Sequence, residues 1–260
     1  MTIDKIQIFD GAQGTVLADA HDPEHKHQGV AVLNLTNPAR VQQMHRDYLD
    51  AGAQYITCNS FELNPVKWQS SEYTWQEIAD AAILNARTAV GNKAKVMFDV
   101  STSDQLMEPV GQFTFEQAYD NYRQVALHTA DRVDGYLLET FSDLYELRAA
   151  ILAIRDVCDK PIFATMTFDE QARTLTGSTP EIVALTLSSL GVDVLGVNCS
   201  NNPAGVVDVV RRMKPFANCP ILAQPNKGLP EMRDGEVVYN WTDQDFVNIG
   251  KELIEAGASI

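Results

Sequence analysis

Short apolar stretches rich in β-branched residues alternate along the chain with segments whose apolar residues recur at helical spacing. This alternation is typical of βα units that build a parallel sheet, so the chain is predicted to have an α/β fold. Most of the apolar stretches follow a Gly or a turn, as expected where a preceding helix ends. Seven strands are predicted, at residues 6–10, 55–59, 95–100, 135–140, 161–167, 192–200 and 220–226.

Helix starts are marked in the segments between these strands. A Ser or Thr with Pro or an acidic residue after it satisfies free N–H groups and suits the positive end of the helix dipole. In one segment Leu144, Leu147 and Ile151 lie on a single helical face, which predicts packing against a sheet. Helices are predicted at residues 39–51, 117–132, 144–157, 182–190 and 245–256.

Composition and charge exclude several classes of partner. The 260 residues are 45% hydrophobic, and 20 Lys+Arg against 35 Asp+Glu give a formal net charge of -15. An acidic protein of this kind lacks the positive field that nucleic acids require, so no nucleic-acid partner is expected. No stretch approaches the roughly 20 apolar residues of a membrane helix, and the first residues lack a signal-peptide pattern. We therefore expect a cytoplasmic protein without a membrane partner.

The length permits either two small domains or one α/β barrel, which typically needs about 250 residues. No Pro/Gly/Ser-rich linker and no run of charge interrupts the alternation of strands and helices. A single domain over residues 1–260 is the simplest prediction.

The four cysteines have no CxxC spacing, so neither a disulfide framework nor a local zinc knuckle is predicted. Cys199 follows an apolar stretch, where its thiol is a candidate nucleophile, metal ligand or buried apolar group. The other three, which are treated as structural, are Cys58, Cys158 and Cys219. A cluster of histidines is interpreted as a solvated loop rather than a metal site; it comprises His21, His25 and His27.

Polar residues gather at the carboxyl ends of the predicted strands. In a parallel barrel these ends share one mouth, where the active sites of that architecture lie. For each residue taken singly, capping of the next helix is an equally good explanation. The residues are Asp10, Gly11, Asn59, Ser60, Asp99, Glu139, Thr140, Thr165, Thr167, Asn198, Cys199, Ser200, Gln224 and Asn226.

Asp10 and Glu139 are single carboxylates at the ends of two otherwise apolar strands. Two acids at one mouth either bind an ammonium group or act as acid and base, and their spacing does not choose between these roles. The turn at residues 10–15 contains two glycines, so its backbone can approach a ligand and donate N–H groups to a carboxylate. It lacks the spacing of a dinucleotide-binding loop, and no P-loop is present. An ammonium site beside a carboxylate site suits an amino acid.

Seven longer motifs resemble a known family, the homocysteine S-methyltransferases, and most closely the N-terminal homocysteine-binding module of cobalamin-dependent methionine synthase. The resemblance covers nearly the whole chain. The motifs are FDGAQGT at residues 9–15, LNLTNP at 33–38, YLDAGAQYITCNSF at 48–61, LLETFSDLYELRAA at 137–150, MTFDEQARTLTG at 166–177, LGVNCS at 195–200 and QPNKGLP at 224–230.

The resemblance implies a (β/α)8 TIM-barrel fold and a methyltransferase that binds homocysteine. Asp10 and Glu139 would hold the ammonium group of homocysteine, and N–H groups around Gly11 and Ala12 would bind its carboxylate. A supporting role is implied for two further residues, Asn59 and Asn198. The implied donor is methylcobalamin or methyltetrahydrofolate, bound by corrinoid-binding and folate-binding domains or proteins.

The resemblance also implies a zinc ion held by three cysteine thiolates, with the homocysteine thiol as fourth ligand and Cys199 as the first cysteine. The family's other two zinc cysteines lie in a GGCCG motif at the end of strand eight. This chain ends at Ile260, where that strand is expected to begin. We therefore expect only seven βα units, no eighth strand and an incomplete zinc site within these 260 residues.

Three explanations of this departure stay open: a fragment of a longer protein, a protein that has lost the chemistry, or a protein completed by a partner segment. Two smaller departures are the STSDQ sequence at residues 101–105 and Gln13, where the family often has Met. The alternative function is a zinc-free, catalytically inactive module that binds an amino acid or serves assembly. A barrel lyase or aldolase is disfavoured, because such enzymes need a strand-end Lys and the nearest one here is Lys227.

Overall fold

The computed structural model describes residues 5–20, 29–70, 72–200, 203–228, 230–233, 236–239 and 241–260. Helices and strands alternate through most of this part of the chain. The α-helices are α1 (Gly14–Leu17), α2 (Leu33–Thr36), α3 (Pro38–Asp50), α4 (Trp75–Val90), α5 (Phe115–Thr129), α6 (Leu144–Val157), α7 (Pro180–Ser189), α8 (Pro203–Met213) and α9 (Asp243–Ala256). Short 3-10 helices lie at Ala18–Ala20, Val30–Val32 and Lys214–Phe216.

The strands are β1 (Tyr55–Thr57), β2 (Lys95–Val100), β3 (Gly135–Phe141), β4 (Ile162–Met166), β5 (Val194–Cys199), β6 (Ile221–Pro225), β7 (Pro230–Arg233) and β8 (Glu236–Tyr239). The first six match six of the seven predicted strands within a few residues. Their parallel pairings confirm the predicted α/β class.

Three of the long helices begin with a capping box. Thr74, Thr114 and Thr242 each accept a hydrogen bond from the backbone three residues later, where a Glu, Gln or Asp side chain bonds back to the Thr N–H. Each box satisfies two helix N–H groups that have no partner inside the helix. These local interactions explain why helix starts can be found from sequence.

The described chain divides into two compact units. The N-terminal unit comprises Gln7–Leu138 and Ala149–Ile162. In it β1 pairs in parallel with β2, and β2 with the first part of β3, in a register that places Met97 beside Gly135. A Cβ atom on Gly135 would lie 2.7 Å from the Met97 side chain and 2.8 Å from the carbonyl oxygen of Pro161. Glycine is therefore required where this strand begins.

The C-terminal unit comprises Met1–Ile6, Glu139–Arg148 and Phe163–Ile260. Here β4, β5 and β6 pair in parallel, and Gly196 of β5 lies beside Leu222 of β6. A Cβ on Gly196 would overlap the carbonyl oxygen of Leu222, so close approach of these two strands depends on glycine.

The last residues of the chain pair with β6. The N–H of Ile260 donates to the carbonyl of Ile221 at 3.2 Å, and the N–H of Ala223 donates to the carbonyl of Ile260 at 3.0 Å. This is the pattern of a parallel ladder, and it places Ile260 beside Leu222. Ile260 thus occupies the position where sequence analysis expects an eighth strand to begin.

The first predicted strand, residues 6–10, is shorter than expected. Within it only Phe9 forms a β-bridge, to Tyr55. The N–H of Ile8 donates to the side-chain oxygen of Gln54 at 2.9 Å instead of to a backbone carbonyl, which interrupts the ladder. The prediction of a full strand here was wrong, although the segment still runs parallel to β1.

The antiparallel pair β7 and β8 was not predicted. An Asp-Gly pair at residues 234–235 separates the two strands in the sequence, and such pairs favour two-residue hairpin loops. The three clustered histidines, His21, His25 and His27, lie outside the described residues. Within the described residues, no helix has both the length and the apolar character needed to cross a bilayer.

His45 of α3 is fully buried, and neither of its ring nitrogens has a hydrogen-bond partner among the described residues. Burial, with a smaller effect of the positive charge of Arg46, lowers the pKa of His45 to about 4. The unfolded chain binds this proton near pH 6.5. Because the unfolded state then holds more protons than the folded state, stability falls as the pH drops from about 6.5 to about 4.

We predict that His45→Leu removes this part of the acid sensitivity. The histidine should account for a loss of about 3 kcal/mol in the free energy of unfolding across that pH range. Urea unfolding of both proteins at several pH values measures the difference. An equal pH dependence in wild type and variant would show that His45 is not buried in its neutral form.

Candidate functional site

A network of polar side chains lies at the carboxyl ends of β3, β4 and β5 in the C-terminal unit. We call it the Asn198 cluster; it consists of Glu139, Thr140, Thr165, Asn198 and Cys199. At its centre the buried side-chain oxygen of Asn198 accepts hydrogen bonds from the Thr140 N–H at 3.0 Å and the Thr165 hydroxyl at 2.9 Å. One amide oxygen thereby joins three strands of this unit.

The nitrogen of the same amide points to the remaining members of the cluster. It donates to the Thr140 hydroxyl at 2.7 Å and lies 3.4 Å from Oε2 of Glu139 and 3.5 Å from Sγ of Cys199. The carboxylate and the thiol that were selected from the sequence therefore lie beside the same buried amide nitrogen, whose shortest bond goes to the Thr140 hydroxyl. The Thr140 hydroxyl lies a further 3.8 Å from the sulfur.

The backbone around this cluster is strained. Thr140, Cys199 and Ser200 have φ angles of 62°, 53° and 63°, in the left-handed region that favours glycine. A β-branched residue such as Thr140 is rarely found there. Such strain persists only where surrounding contacts impose it, and it concentrates at functional sites. The hydrogen bond from the Thr140 N–H to Asn198 is one contact that imposes it.

Asp10 lies in the N-terminal unit, where Thr57 of β1 holds its carboxylate. Oδ2 accepts from the Thr57 N–H at 2.8 Å, and the Thr57 hydroxyl lies 2.8 Å from Oδ2 and 3.0 Å from Oδ1. Nε2 of Gln13 lies 2.7 Å from that hydroxyl and 3.4 Å from Oδ2. We call Asp10, Gln13 and Thr57 the Asp10 cluster. It fixes the direction of a carboxylate whose residue is only 6% exposed.

The loop after Asp10 is held by Tyr48 of α3. The Tyr48 hydroxyl donates to the carbonyl of Ala12 at 2.7 Å, and its ring packs over Gly11, where a Cβ would lie 3.0 Å from the hydroxyl oxygen. Burial, and then the negative charge of Asp10, raise the pKa of Tyr48, so the hydroxyl keeps its proton and remains a donor. Gly11 and Ala12 themselves are exposed. A ligand can therefore approach this part of the loop.

The other predicted site residue of this unit, Asn59, has local structural contacts. Its side chain donates to the Val30 carbonyl at 2.8 Å, and its own carbonyl accepts from Asn34 at 2.7 Å. These bonds tie α2 and the 3-10 helix before it to the end of β1. Cys58 is buried, and burial raises the pKa of its thiol, in agreement with the structural role predicted for it.

The described residues do not by themselves fit a catalytic zinc ion. Such a site uses three protein ligands and one open position. Within the parts of the chain that the structure describes, no three His, Cys, Asp or Glu side chains form a group that could hold a metal ion. Sγ of Cys199 contacts the Thr140 hydroxyl and the Asn198 amide, neither of which is a usual zinc ligand.

Sequence analysis selected Asp10, Glu139, Asn198 and Cys199 because they end predicted strands. It missed Thr57 and Tyr48 as parts of the site. Alternation along β1 could have placed Thr57 on the same face as Asn59. No local signal identifies Tyr48, because its contact with the loop depends on how α3 packs.

The family model and the curated relatives that match this chain agree with one another. A family model described as homocysteine S-methyltransferase matches residues 7–260. Methionine synthase of Mycobacterium leprae is 28% identical over 244 residues, which cover 87% of this chain and 20% of the relative. Methionine synthase of Mycobacterium tuberculosis is 27% identical over 248 residues, with the same coverage. The chain thus spans about a fifth of the length of these curated relatives.

The fold is shared with a solved structure. The metallated form of the homocysteine methyltransferase MmuM from Escherichia coli superposes with a TM-score of 0.79 at 17% identity. The superposition covers 98% of this chain and 90% of that one. This likeness confirms the predicted TIM-barrel type of fold.

We predict that Asn198→Leu destabilises the protein by about 2–4 kcal/mol. Leucine has a similar size but leaves the Thr140 N–H and the buried Thr165 hydroxyl without their acceptor. Urea unfolding measures the loss. The control is Asn248→Leu on the exposed face of α9, which should change stability by less than about 0.5 kcal/mol. Equal stability of the two variants would refute the central role of the Asn198 amide.

Proposed function

The chain belongs to the homocysteine S-methyltransferase family, and we propose that it binds homocysteine and presents the thiol for methylation to methionine. The observation that carries this proposal is the Asn198 cluster, in which a carboxylate and a thiol share one side-chain amide. Homocysteine carries an ammonium group that can pair with the carboxylate and a sulfur atom that can lie near the thiol. Its ammonium group suits Glu139, and the resemblance assigns Cys199 to the sulfur end of the ligand.

Glu139 is proposed to bind the ammonium group of homocysteine. The side chain is partly exposed at the end of β3, so a ligand can reach it, while part of its surface is shielded from water. Shielding strengthens an ion pair, because fewer water molecules screen the two charges. The Asn198 amide nitrogen near Oε2 supports the orientation of the carboxylate.

The Asp10 cluster and the loop after it, taken within the N-terminal unit, also suit an amino acid. Asp10 supplies a buried, oriented carboxylate, and the exposed residues Gly11 and Ala12 carry backbone N–H groups. We propose that Asp10 contacts the ammonium group and that these N–H groups contact the carboxylate of homocysteine. Backbone N–H groups in a glycine-containing turn commonly bind anions in this way.

Methyl transfer to homocysteine exchanges one bond for another. The thiol gives its proton to solvent, a bond forms between sulfur and the methyl carbon, and the bond from that carbon to the donor breaks, with the electron pair staying on the donor. The proposed contribution of this chain is to bind and orient the amino acid, which removes much of the entropic cost of the reaction. We propose methylcobalamin or methyltetrahydrofolate as donor, held by a corrinoid-binding or folate-binding domain or protein.

Zinc activation of the thiol, which the resemblance implies, needs two protein ligands besides Cys199. The described residues do not supply them. This observation favours a second candidate function, a zinc-free module of the same fold that binds an amino acid or serves assembly without catalysis. Metal content and the rate of homocysteine alkylation, measured on the same preparation, separate the two functions. Metal-dependent alkylation supports the methyltransferase, and homocysteine binding without alkylation supports the second candidate.

We predict that Glu139→Gln weakens homocysteine binding about 10- to 100-fold, because the variant keeps the shape but loses the charge that pairs with the ammonium group. Isothermal titration calorimetry under reducing conditions measures both dissociation constants. The matched control is Glu252→Gln on the exposed face of α9, which should bind homocysteine like wild type.

Metal content should be the same in all three proteins, because Glu139 is assigned to the ammonium group. Equal homocysteine affinity in wild type and Glu139→Gln would remove Glu139 from the proposed site. Failure of the wild-type protein to bind homocysteine at millimolar concentration would contradict the proposed function itself.

A further inference from the structure

We infer that Gln13 is a positioning residue for the amino-acid ligand, acting through the Thr57 hydroxyl on the carboxylate of Asp10. This inference rests on the proposed function, in which Asp10 contacts the ammonium group of homocysteine. It adds a residue that neither the resemblance nor the strand-end pattern assigned to ligand binding. Three observations in the N-terminal unit carry it.

The first observation is that both N–H bonds of the Gln13 amide are directed to Thr57. Nε2 lies 2.8 Å from the Thr57 carbonyl oxygen and 2.7 Å from the Thr57 hydroxyl oxygen. An amide nitrogen has two hydrogens, so these two short contacts use both of them. The distance of 3.4 Å to Oδ2 of Asp10 is a weaker contact. Gln13 therefore acts mainly on Thr57.

The second observation concerns the direction of the Thr57 hydroxyl. Because its oxygen accepts from Gln13, its proton is free to point to Asp10, whose carboxylate oxygens lie 2.8 and 3.0 Å away. The hydroxyl thus receives one hydrogen bond and gives another. Linked hydrogen bonds of this kind polarise one another and are stronger than isolated ones.

The third observation is that the end of the relay formed by Thr57 and Asp10 is shielded from water, while Gln13 is half-buried. Asp10 is 6% exposed and Thr57 4% exposed, and the Thr57 N–H donates a further bond to Oδ2 at 2.8 Å. A carboxylate fixed in this way loses little conformational freedom when a cation binds to it. Gln13 thereby pre-organises the group that is proposed to receive the ligand's ammonium.

Gln13 also has a purely structural contact, because its carbonyl accepts a hydrogen bond from the N–H of Leu17 at 2.9 Å. That bond involves the backbone and persists in any side-chain variant. A role confined to holding the loop would weaken every ligand equally. A positioning role through Asp10 predicts a loss that depends on the ligand's amino group.

The experiment compares two ligands on Gln13→Met, which has a similar length but no amide donor. The ligands are L-homocysteine and its desamino analogue, mercaptobutyrate, each titrated to saturation by calorimetry under reducing conditions. We expect homocysteine affinity to fall about tenfold and mercaptobutyrate affinity to stay within twofold of wild type. The matched control is Gln42→Met, because Gln42 bonds to Asn85 at 2.9 Å and belongs to neither cluster. Its affinity for homocysteine should equal that of wild type.

A second pair of variants tests the relay itself. Thr57→Ser keeps the hydroxyl and should retain wild-type selectivity, whereas Thr57→Val removes it and should reproduce the selective loss of homocysteine affinity. This pair keeps the inference testable where Gln13→Met fails to fold.

Unchanged homocysteine affinity in Gln13→Met and Thr57→Val would overturn the inference and leave the proposed function standing. An equal loss for both ligands would also overturn it, because the effect would then be independent of the ammonium group. Absence of homocysteine binding to the wild-type protein would instead remove the proposed function, and the inference with it.

Discussion

The candidate site in the C-terminal unit depends on the buried side-chain amide of Asn198. This amide accepts hydrogen bonds from the Thr140 N–H and the Thr165 hydroxyl, and its nitrogen lies near Glu139 and Cys199. A side-chain amide accepts two hydrogen bonds on its oxygen and donates two from its nitrogen, so few substitutions could satisfy all these partners. The same bonds oppose the strain of a threonine at positive φ. The stability of this unit and the orientation of the side chains proposed to contact the ligand thus depend on the same side chain.

In the N-terminal unit a different set of polar groups orients a carboxylate. There the carboxylate of Asp10 receives the N–H and hydroxyl of Thr57, and Gln13 directs that hydroxyl. In each unit the group proposed to contact the ligand is oriented by a residue from another strand end or a neighbouring loop. Pre-oriented polar groups do not have to reorganise when the substrate binds. This pre-organisation lowers the free-energy cost of binding and of the reaction. Each cluster, taken within its own unit, supports the proposed binding of an amino acid.

Local signals in the sequence predicted most of the fold. Runs of β-branched residues located six of the parallel strands, and a Ser or Thr followed by Pro or an acidic residue located the starts of α3, α5 and α7 within two residues, whereas α4 and α8 were not predicted. The first strand was overestimated because the side chain of Gln54 replaces a backbone acceptor, and propensity cannot anticipate that. Their positions at the ends of predicted strands selected Asp10 and Glu139 as candidate ligand-binding residues. The sequence did not reveal which side chains orient these two carboxylates. The contact between Tyr48 and the Asp10 loop arises from helix packing, and the positive φ of Thr140 opposes the preference of its residue type, so neither could be predicted from the chain alone.

Binding of homocysteine against the Asn198 cluster is tested most directly by a heteronuclear NMR titration of the wild-type protein with homocysteine, in which the side-chain amide signals of asparagines are followed one by one. The Asn198 side-chain amide and the Thr140 backbone amide should shift in a saturable way with one common dissociation constant. The side-chain amide of Asn85, buried in the contacts between Gln42 and Asn34, should stay unchanged. Saturable binding of homocysteine that leaves the Asn198 and Thr140 signals unshifted would contradict binding at the Asn198 cluster.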